Sequence, residues 1–209
     1  MNALSKTALA KTTLGFCLVI AVGCGDNAAK QPAASPAAPN QVSDVERYFP
    51  LLADTVLAYD TESEISGEKG MLVMQVRRTR AEHAELYVAG RAKRLELVKS
   101  GIRLSGGGWL LKSPLTQGMR YKGDFGEVLV THVGKALTTP AGAFSDCVVT
   151  VEQAGSRKVT TTFCRDVGIA ELVVEGQVGE EFGRERAVLR SHGPRVDIGA
   201  DLPPPPPKK

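Results

Sequence analysis

The sequence predicts an all-β fold, an antiparallel meander forming a curled sheet, half-barrel or barrel, flanked by a disordered N-terminal tether and a Pro-rich C-terminal tail. Three observations predict it. Apolar residues recur with period two or in short β-branched runs, the spacing that places alternate side chains on one face of a strand. The gaps between runs are short and rich in Gly, Ser and Asp, which favours hairpins over helical crossovers. Outside Val45 to Leu52, no stretch keeps an apolar stripe at helical spacing.

Taken in order, the runs are Thr55 to Asp60, Met71 to Arg78, Glu85 to Ala89, Lys93 to Lys99 and Gly108 to Lys112, then Glu127 to Val133, Phe144 to Gln153, Lys158 to Cys164, Ile169 to Glu175 and Arg186 to Ser191. Turn-like segments separate them at Asp60 to Gly67, Ala89 to Arg91, Ser105 to Gly107 and Gly123 to Gly126. The most specific turn is Ala154-Gly155-Ser156-Arg157, where Gly155 stands at the first central position of a two-residue loop. A type II′ turn needs positive φ there, and glycine supplies it without steric cost. Counting outward from that turn sets Val151 against Thr160, Val149 against Thr162 and Cys147 against Cys164. With Ala154 and Arg157 as the hydrogen-bonded closing pair, alternation makes the cysteines a non-hydrogen-bonded pair, the geometry of closer Cα approach. A Cys147–Cys164 disulfide is expected. The competing readings are two buried thiols acting as small hydrophobes and a metal site, the latter weakened by the absence of a Cys-x-x-Cys partner or a paired histidine motif.

The amino terminus reads as an export signal. Lys6 and Lys11 form a positive segment without an acidic residue, and Leu14 to Val22 is an apolar run too short to span a bilayer. It ends in Ala21-Val22-Gly23-Cys24, which resembles the lipobox of bacterial lipoproteins, although Ala21 stands where that pattern usually has Leu. The resemblance implies cleavage before Cys24 and acylation of its sulfur and new amino group. The alternative is an ordinary signal peptide cut after Ala21 or Gly23. A double acyl anchor exceeds the two-signal requirement for stable attachment, each buried methylene contributing roughly 0.8 kcal/mol. An Asp directly after the cysteine can retain such proteins at the inner membrane; Gly25 stands there, so the outer membrane is expected, with the domain facing the periplasm or the cell surface.

Four segments follow: residues 1–23 as leader, 24–44 as lipidated tether, 45–192 as β domain and 193–209 as tail. The tether is Ala, Pro, Asn, Gln and Ser with almost no large apolar residue, a composition that cannot offset the entropy of ordering; about 20 such residues reach roughly 25 Å. Pro203 to Pro207 should adopt polyproline II. The chain carries 26 Lys and Arg against 23 Asp and Glu, and loss of Lys6 and Lys11 with the leader leaves 24 against 23. No broad cationic field remains to argue for nucleic acid. An exported chain that discards Cys17 and acylates Cys24 keeps Cys147 and Cys164 as its remaining thiols.

No pattern of catalytic or cofactor chemistry rises above background, so neither an enzyme nor a bound cofactor or metal is expected. Ser105-Gly106-Gly107-Gly108 lacks the Gly-Lys-Ser/Thr of a phosphate loop and reads as a hairpin turn. His83, His132 and His192 are scattered over three segments, and no Gly-x-Ser-x-Gly elbow or carboxylate pair stands out. Arg77, Arg78, Arg80, Arg91, Lys93 and Arg94 gather positive charge around one expected hairpin. They could meet anionic headgroups or saccharide phosphates, or form a solvated edge whose cations discourage edge pairing.

Tyr48-Phe49-Pro50-Leu51, Pro114-Leu115-Thr116-Gln117-Gly118, Thr139-Pro140-Ala141-Gly142-Ala143-Phe144 with Cys147 just beyond, and Asp166-Val167-Gly168-Ile169 together resemble a family of uncharacterised bacterial envelope β-proteins, many of them lipoproteins. The likeness covers about Tyr48 to Ser191 and implies a twisted antiparallel sheet and an envelope location. It brings no catalytic residue. Family members commonly carry an aromatic such as Trp where Ala58-Tyr59 and Met119-Arg120-Tyr121 stand here. The first expectation is a non-enzymatic interaction or assembly module with an envelope protein as partner. Its rival is a carrier enclosing an apolar or lipid ligand, with Met71, Met74, Leu86, Val88, Leu95 and Leu97 either lining the site or simply filling the core; an enzyme of unrecognised type comes third. Cys24→Ser should abolish incorporation of a fatty-acid probe in the expressing bacterium; undiminished labelling of that variant would remove the anchor.

Overall fold

The computed structural model describes residues 44–51, 54–178 and 181–194. A short helix, α1 (Asp44–Tyr48), precedes twelve strands. These are β1 (Thr55–Ser63), β2 (Lys69–Arg80), β3 (His83–Val88), β4 (Arg91–Val98), β5 (Gly101–Leu104), β6 (Trp109–Lys112), β7 (Arg120–Lys122), β8 (Glu127–Thr139), β9 (Gly142–Ala154), β10 (Arg157–Cys164), β11 (Gly168–Val178) and β12 (Glu181–Pro194). All lie in one antiparallel sheet in which each strand pairs with its neighbours in sequence, and β1 pairs with β12. The chain is therefore an up-and-down barrel with a single break, between β6 and β7.

That break is narrow. Tyr121 on β7 donates its hydroxyl to the carbonyl of Leu110 on β6 at 3.4 Å, and Lys93 on β4 pairs with Asp124 just beyond β7. Gly108 and Gly123 bring two backbones so close that a Cβ on Gly108 would lie 1.8 Å from the Gly123 carbonyl oxygen. Only glycine fits such an approach. The sheet is a nearly closed barrel, the expected class at its more closed limit.

Ten strands were expected and twelve form. The two additions, β5 and β7, hold four and three residues, too few to display an alternation in sequence. The helical segment is shorter than Val45 to Leu52, because Pro50 cannot continue a helix. Period two is clear in the burial. Leu57 and Tyr59 on β1, Met74 and Val76 on β2, and Val128 and Val130 on β8 all face inward and are buried.

Because every connection reverses direction, the turns from odd to even strands gather at one end and the links from even to odd strands at the other. α1 and the residues after it seal the second end. Val45, Phe49 and Leu51 are almost wholly buried, and Phe49 meets Phe163 edge to face at 6.2 Å between ring centroids. A five-residue helix has no stability of its own; burial of its apolar side chains holds it. The tip of the β8–β9 hairpin folds over the same end, where the Ala141 amide donates to the Leu189 carbonyl of β12 at 3.2 Å.

The β9–β10 hairpin has the expected register throughout, from Ala154 against Arg157 to Cys147 against Cys164. Gly155 takes φ of 56°. The cysteines form a disulfide with Cα atoms 4.0 Å apart, and both are fully buried. Because the β9–β10 ladder already closes this hairpin, the double variant Cys147→Ser/Cys164→Ser should fold and lose less than the ~3 kcal/mol that the chain-entropy model assigns to a loop of this length. Denaturant unfolding of the variant checks this; a variant that does not fold would show that the bridge, and not the ladder, holds β9 to β10.

Candidate functional site

The lumen is a space that the fold leaves beyond its packed core. A cavity of about 300 Å³ lies inside the barrel toward the open end. Its wall draws apolar side chains from strands around the circumference, among them Met74, Leu86, Leu104, Val128, Val159 and Leu172. Phe163 and Ile169 line it toward the sealed end, with Phe49 packed behind Phe163. A second cavity of about 380 Å³, set among β1, β2, β11 and β12, shares Leu172 and Val174 with the first. Both volumes are at the lower end of small-molecule sites, and the apolar wall with a few polar groups matches their usual chemistry.

The polar groups sit toward the open end. Glu152 on β9 lines the cavity, and its Oε1 accepts hydrogen bonds from the Phe125 and Gly126 amides at 2.7 and 2.9 Å. That carboxylate fixes the β7–β8 turn beside the opening. Asp124 in the same turn is held by Lys93, and the Arg157 guanidinium lies 4.5 Å from the Phe125 ring centroid. Deeper in, the Thr150 and Thr161 side chains join the wall. Tyr121, on the strand beside the break, has its phenol pushed up by burial and by the Glu152 charge.

The six candidate lining residues separate. Met74, Leu86 and Val88 line the lumen, Leu95 is closed into the core, and Leu97 is partly buried against it. Met71 is exposed on the rim of the second cavity. The basic residues do not form one patch. Arg78 binds Glu46 of α1 at 3.0 Å near the sealed end, and Arg80 ends β2 on that side. Arg77 and Arg94 flank Glu85 across the sheet, Arg91 begins β4 at the opposite end, and Lys93 sits at the cavity opening. His83, His132 and His192 lie on β3, β8 and β12 and are not brought together. Among the described residues no group of three or more His, Cys, Asp or Glu side chains could hold a metal ion. Cys24 and the tether up to Ser43 lie outside the described residues, as do residues 195–209, whereas Asp44, the last residue expected in the tether, opens α1, and Gly193 and Pro194, the first two expected in the tail, end β12.

Sequence reasoning missed one polar cluster, at the sealed end. Asp146 accepts from the Tyr48 hydroxyl at 2.8 Å and from Arg165 Nε at 2.6 Å, while the Arg165 guanidinium lies 5.4 Å from the Tyr48 ring centroid. The three residues come from the plug, β9 and the turn after β10, so only tertiary structure unites them. The Tyr48 hydroxyl, followed by the Arg165 guanidinium, holds the Asp146 carboxyl below its usual range. Tyr59 is buried on the inner wall and donates to the Ile169 carbonyl at 2.8 Å; its phenol is pushed up by burial.

No family model matches the chain, and no curated protein matches it. Among solved structures, a protein from Bacteroides fragilis provisionally described as exported, with a YmcC-like fold, is 11% identical with a TM-score of 0.43, over 68% of this chain and 96% of that one. One from Parabacteroides distasonis, provisionally described as a lipoprotein, is 12% identical with a TM-score of 0.40, over 70% of this chain and 98% of that one. Similarity at this level assigns neither family nor role.

The depressed Asp146 carboxyl carries a sign. Its stabilising effect is complete above the ordinary carboxylate pKa of about 4 and is lost as pH falls through the lower folded value. Because the pair is about one third exposed, solvent screens it and the effect is modest. Asp146→Asn should lower the thermal midpoint at neutral pH and flatten its decline in acid, as read from melting curves across pH. Parallel acid profiles for the two proteins would show that the cluster contributes nothing through charge.

Proposed function

We propose that this chain is a lipid-anchored protein of the bacterial cell envelope that is not an enzyme and whose barrel takes up an apolar ligand through its open end. The observation that carries the reading is the lumen, about 300 Å³ of space walled by aliphatic and aromatic side chains in a barrel sealed at the other end. A sheet that served only as an assembly module would gain by filling that space, since close-packed interiors maximise dispersion and leave few voids larger than water. Here the inner faces near the opening stay partly open, while the same faces near α1 are packed. The carrier therefore moves ahead of the ligand-free module.

Anchoring at the outer membrane rests on Ala21-Val22-Gly23-Cys24 and on Gly25. The described chain begins at Asp44 on the sealed end, opposite the opening.

Native mass spectrometry of the purified domain, residues 44–209 exported to an oxidising periplasm, tests the reading after incubation with an envelope lipid extract. A defined adduct that is lost on denaturation is expected. Leu172 borders both cavities, so Leu172→Trp should fill the lumen and abolish the adduct, with a stability change of about 1–3 kcal/mol at most. No adduct on the parent domain, or one that survives in a folded Leu172→Trp variant, would remove the lumen as the site.

A further inference from the structure

We infer that the ligand is a single-chain amphiphile with an anionic head, its tail in the lumen and its head on the Arg157 guanidinium; this rests on the carrier reading. Four charged side chains line the cavity: Lys93, Asp124, Glu152 and Arg157. Three are already committed. Lys93 and Asp124 pair with each other, and Glu152 accepts from two backbone amides. The Arg157 guanidinium, exposed at the opening, lies over the face of Phe125, and among the described residues no carboxylate pairs with it.

A guanidinium stacked on a ring keeps its N–H edges free, and their fork geometry suits a carboxylate or phosphate oxygen pair. Stacking on Phe125 also restricts the side chain, so less rotamer freedom is lost when an anion binds. The wall below Arg157 is apolar: Val159 follows two residues along the same face of β10, with Leu172 and Val174 beyond it on β11. One chain therefore spans from a cationic group at the opening to an apolar interior. A volume of about 300 Å³ is at the bottom of the range for ligand sites, which favours one acyl chain over a diacyl lipid. A cationic head finds a poorer partner than Arg157 offers an anion: Asp124 is paired with Lys93, and Glu152, half-buried, already accepts two amides through Oε1.

Isothermal titration calorimetry of the domain with dodecanoate, dodecanol and dodecyltrimethylammonium tests this at a pH where the acid is ionised. Dodecanoate should bind about tenfold or more tighter than dodecanol, the scale of one charge-assisted hydrogen-bonded pair, and the trimethylammonium probe more weakly than either. Arg157→Gln should remove the preference for dodecanoate over dodecanol, and Arg157→Lys should restore part of it. Equal binding of dodecanoate and dodecanol by the parent, or a preference for the cation, overturns the anionic head and leaves the apolar lumen standing. Binding of none of the three overturns both.

Discussion

The pairing of the first strand with the last determines the rest of the molecule. β1 meets β12 along nearly their whole lengths, from Thr55 opposite Pro194 to Ser63 opposite Glu185. Without that ladder the chain would be two six-stranded meanders, each with a long exposed edge and an apolar face open to water. With it, the inner faces oppose one another and share one core, and the edges shrink to β6 and β7. Those edges are four and three residues long, and Lys112, Arg120 and Lys122 stand on them. Short, cationic edges resist pairing with other chains. The ladder joins residues more than a hundred positions apart, so it forms against a large loop-closure entropy and depends on the hairpins being in place.

Closure alone gives a tube, and the plug makes its two ends unlike. Val45, Phe49 and Leu51 occupy the end where the chain enters, and the Tyr48, Asp146 and Arg165 cluster fastens them to the hairpin that the disulfide crosses. Twelve strands are more than side chains from the wall readily fill. The segment before β1 supplies filling at one end, and among the described residues nothing comparable does so at the other. The cavity is the physical consequence of that imbalance.

Much of the local structure was legible in the sequence. Gly155 fixed one turn, period two fixed the pairing outward from it, and the register brought Cys147 to Cys164 without tertiary information. The same reasoning missed β5 and β7, because three or four residues cannot show a period. It ended β8 at Val133, where Gly134 and three register shifts against β9 interrupt the alternation before the strand continues to Thr139. The lumen was not legible for a deeper reason. Alternation marks which side chains face inward and is silent on whether facing walls touch, so Met74 and Leu95 look alike in sequence although one lines the cavity and the other is packed shut. The commitment of Lys93, Asp124 and Glu152, and the isolation of Arg157, likewise arise only when β4, the β7–β8 turn, β9 and β10 converge.

The central claim is that the lumen receives an apolar molecule, and the protein carries its own reporter. Trp109 is the sole tryptophan and borders the cavity, half-buried, beside the break in the barrel, with the Arg103 and Lys112 cations each 5.5 Å from its ring centroid. Its fluorescence should be followed while the folded domain is titrated with dodecanol, with iodide quenching measured at each end of the titration. A saturable shift of the emission to shorter wavelength, with reduced quenching at saturation, is what an occupied lumen predicts. An emission spectrum and a quenching constant that do not change across the titration would contradict the account and return the barrel to a structural role.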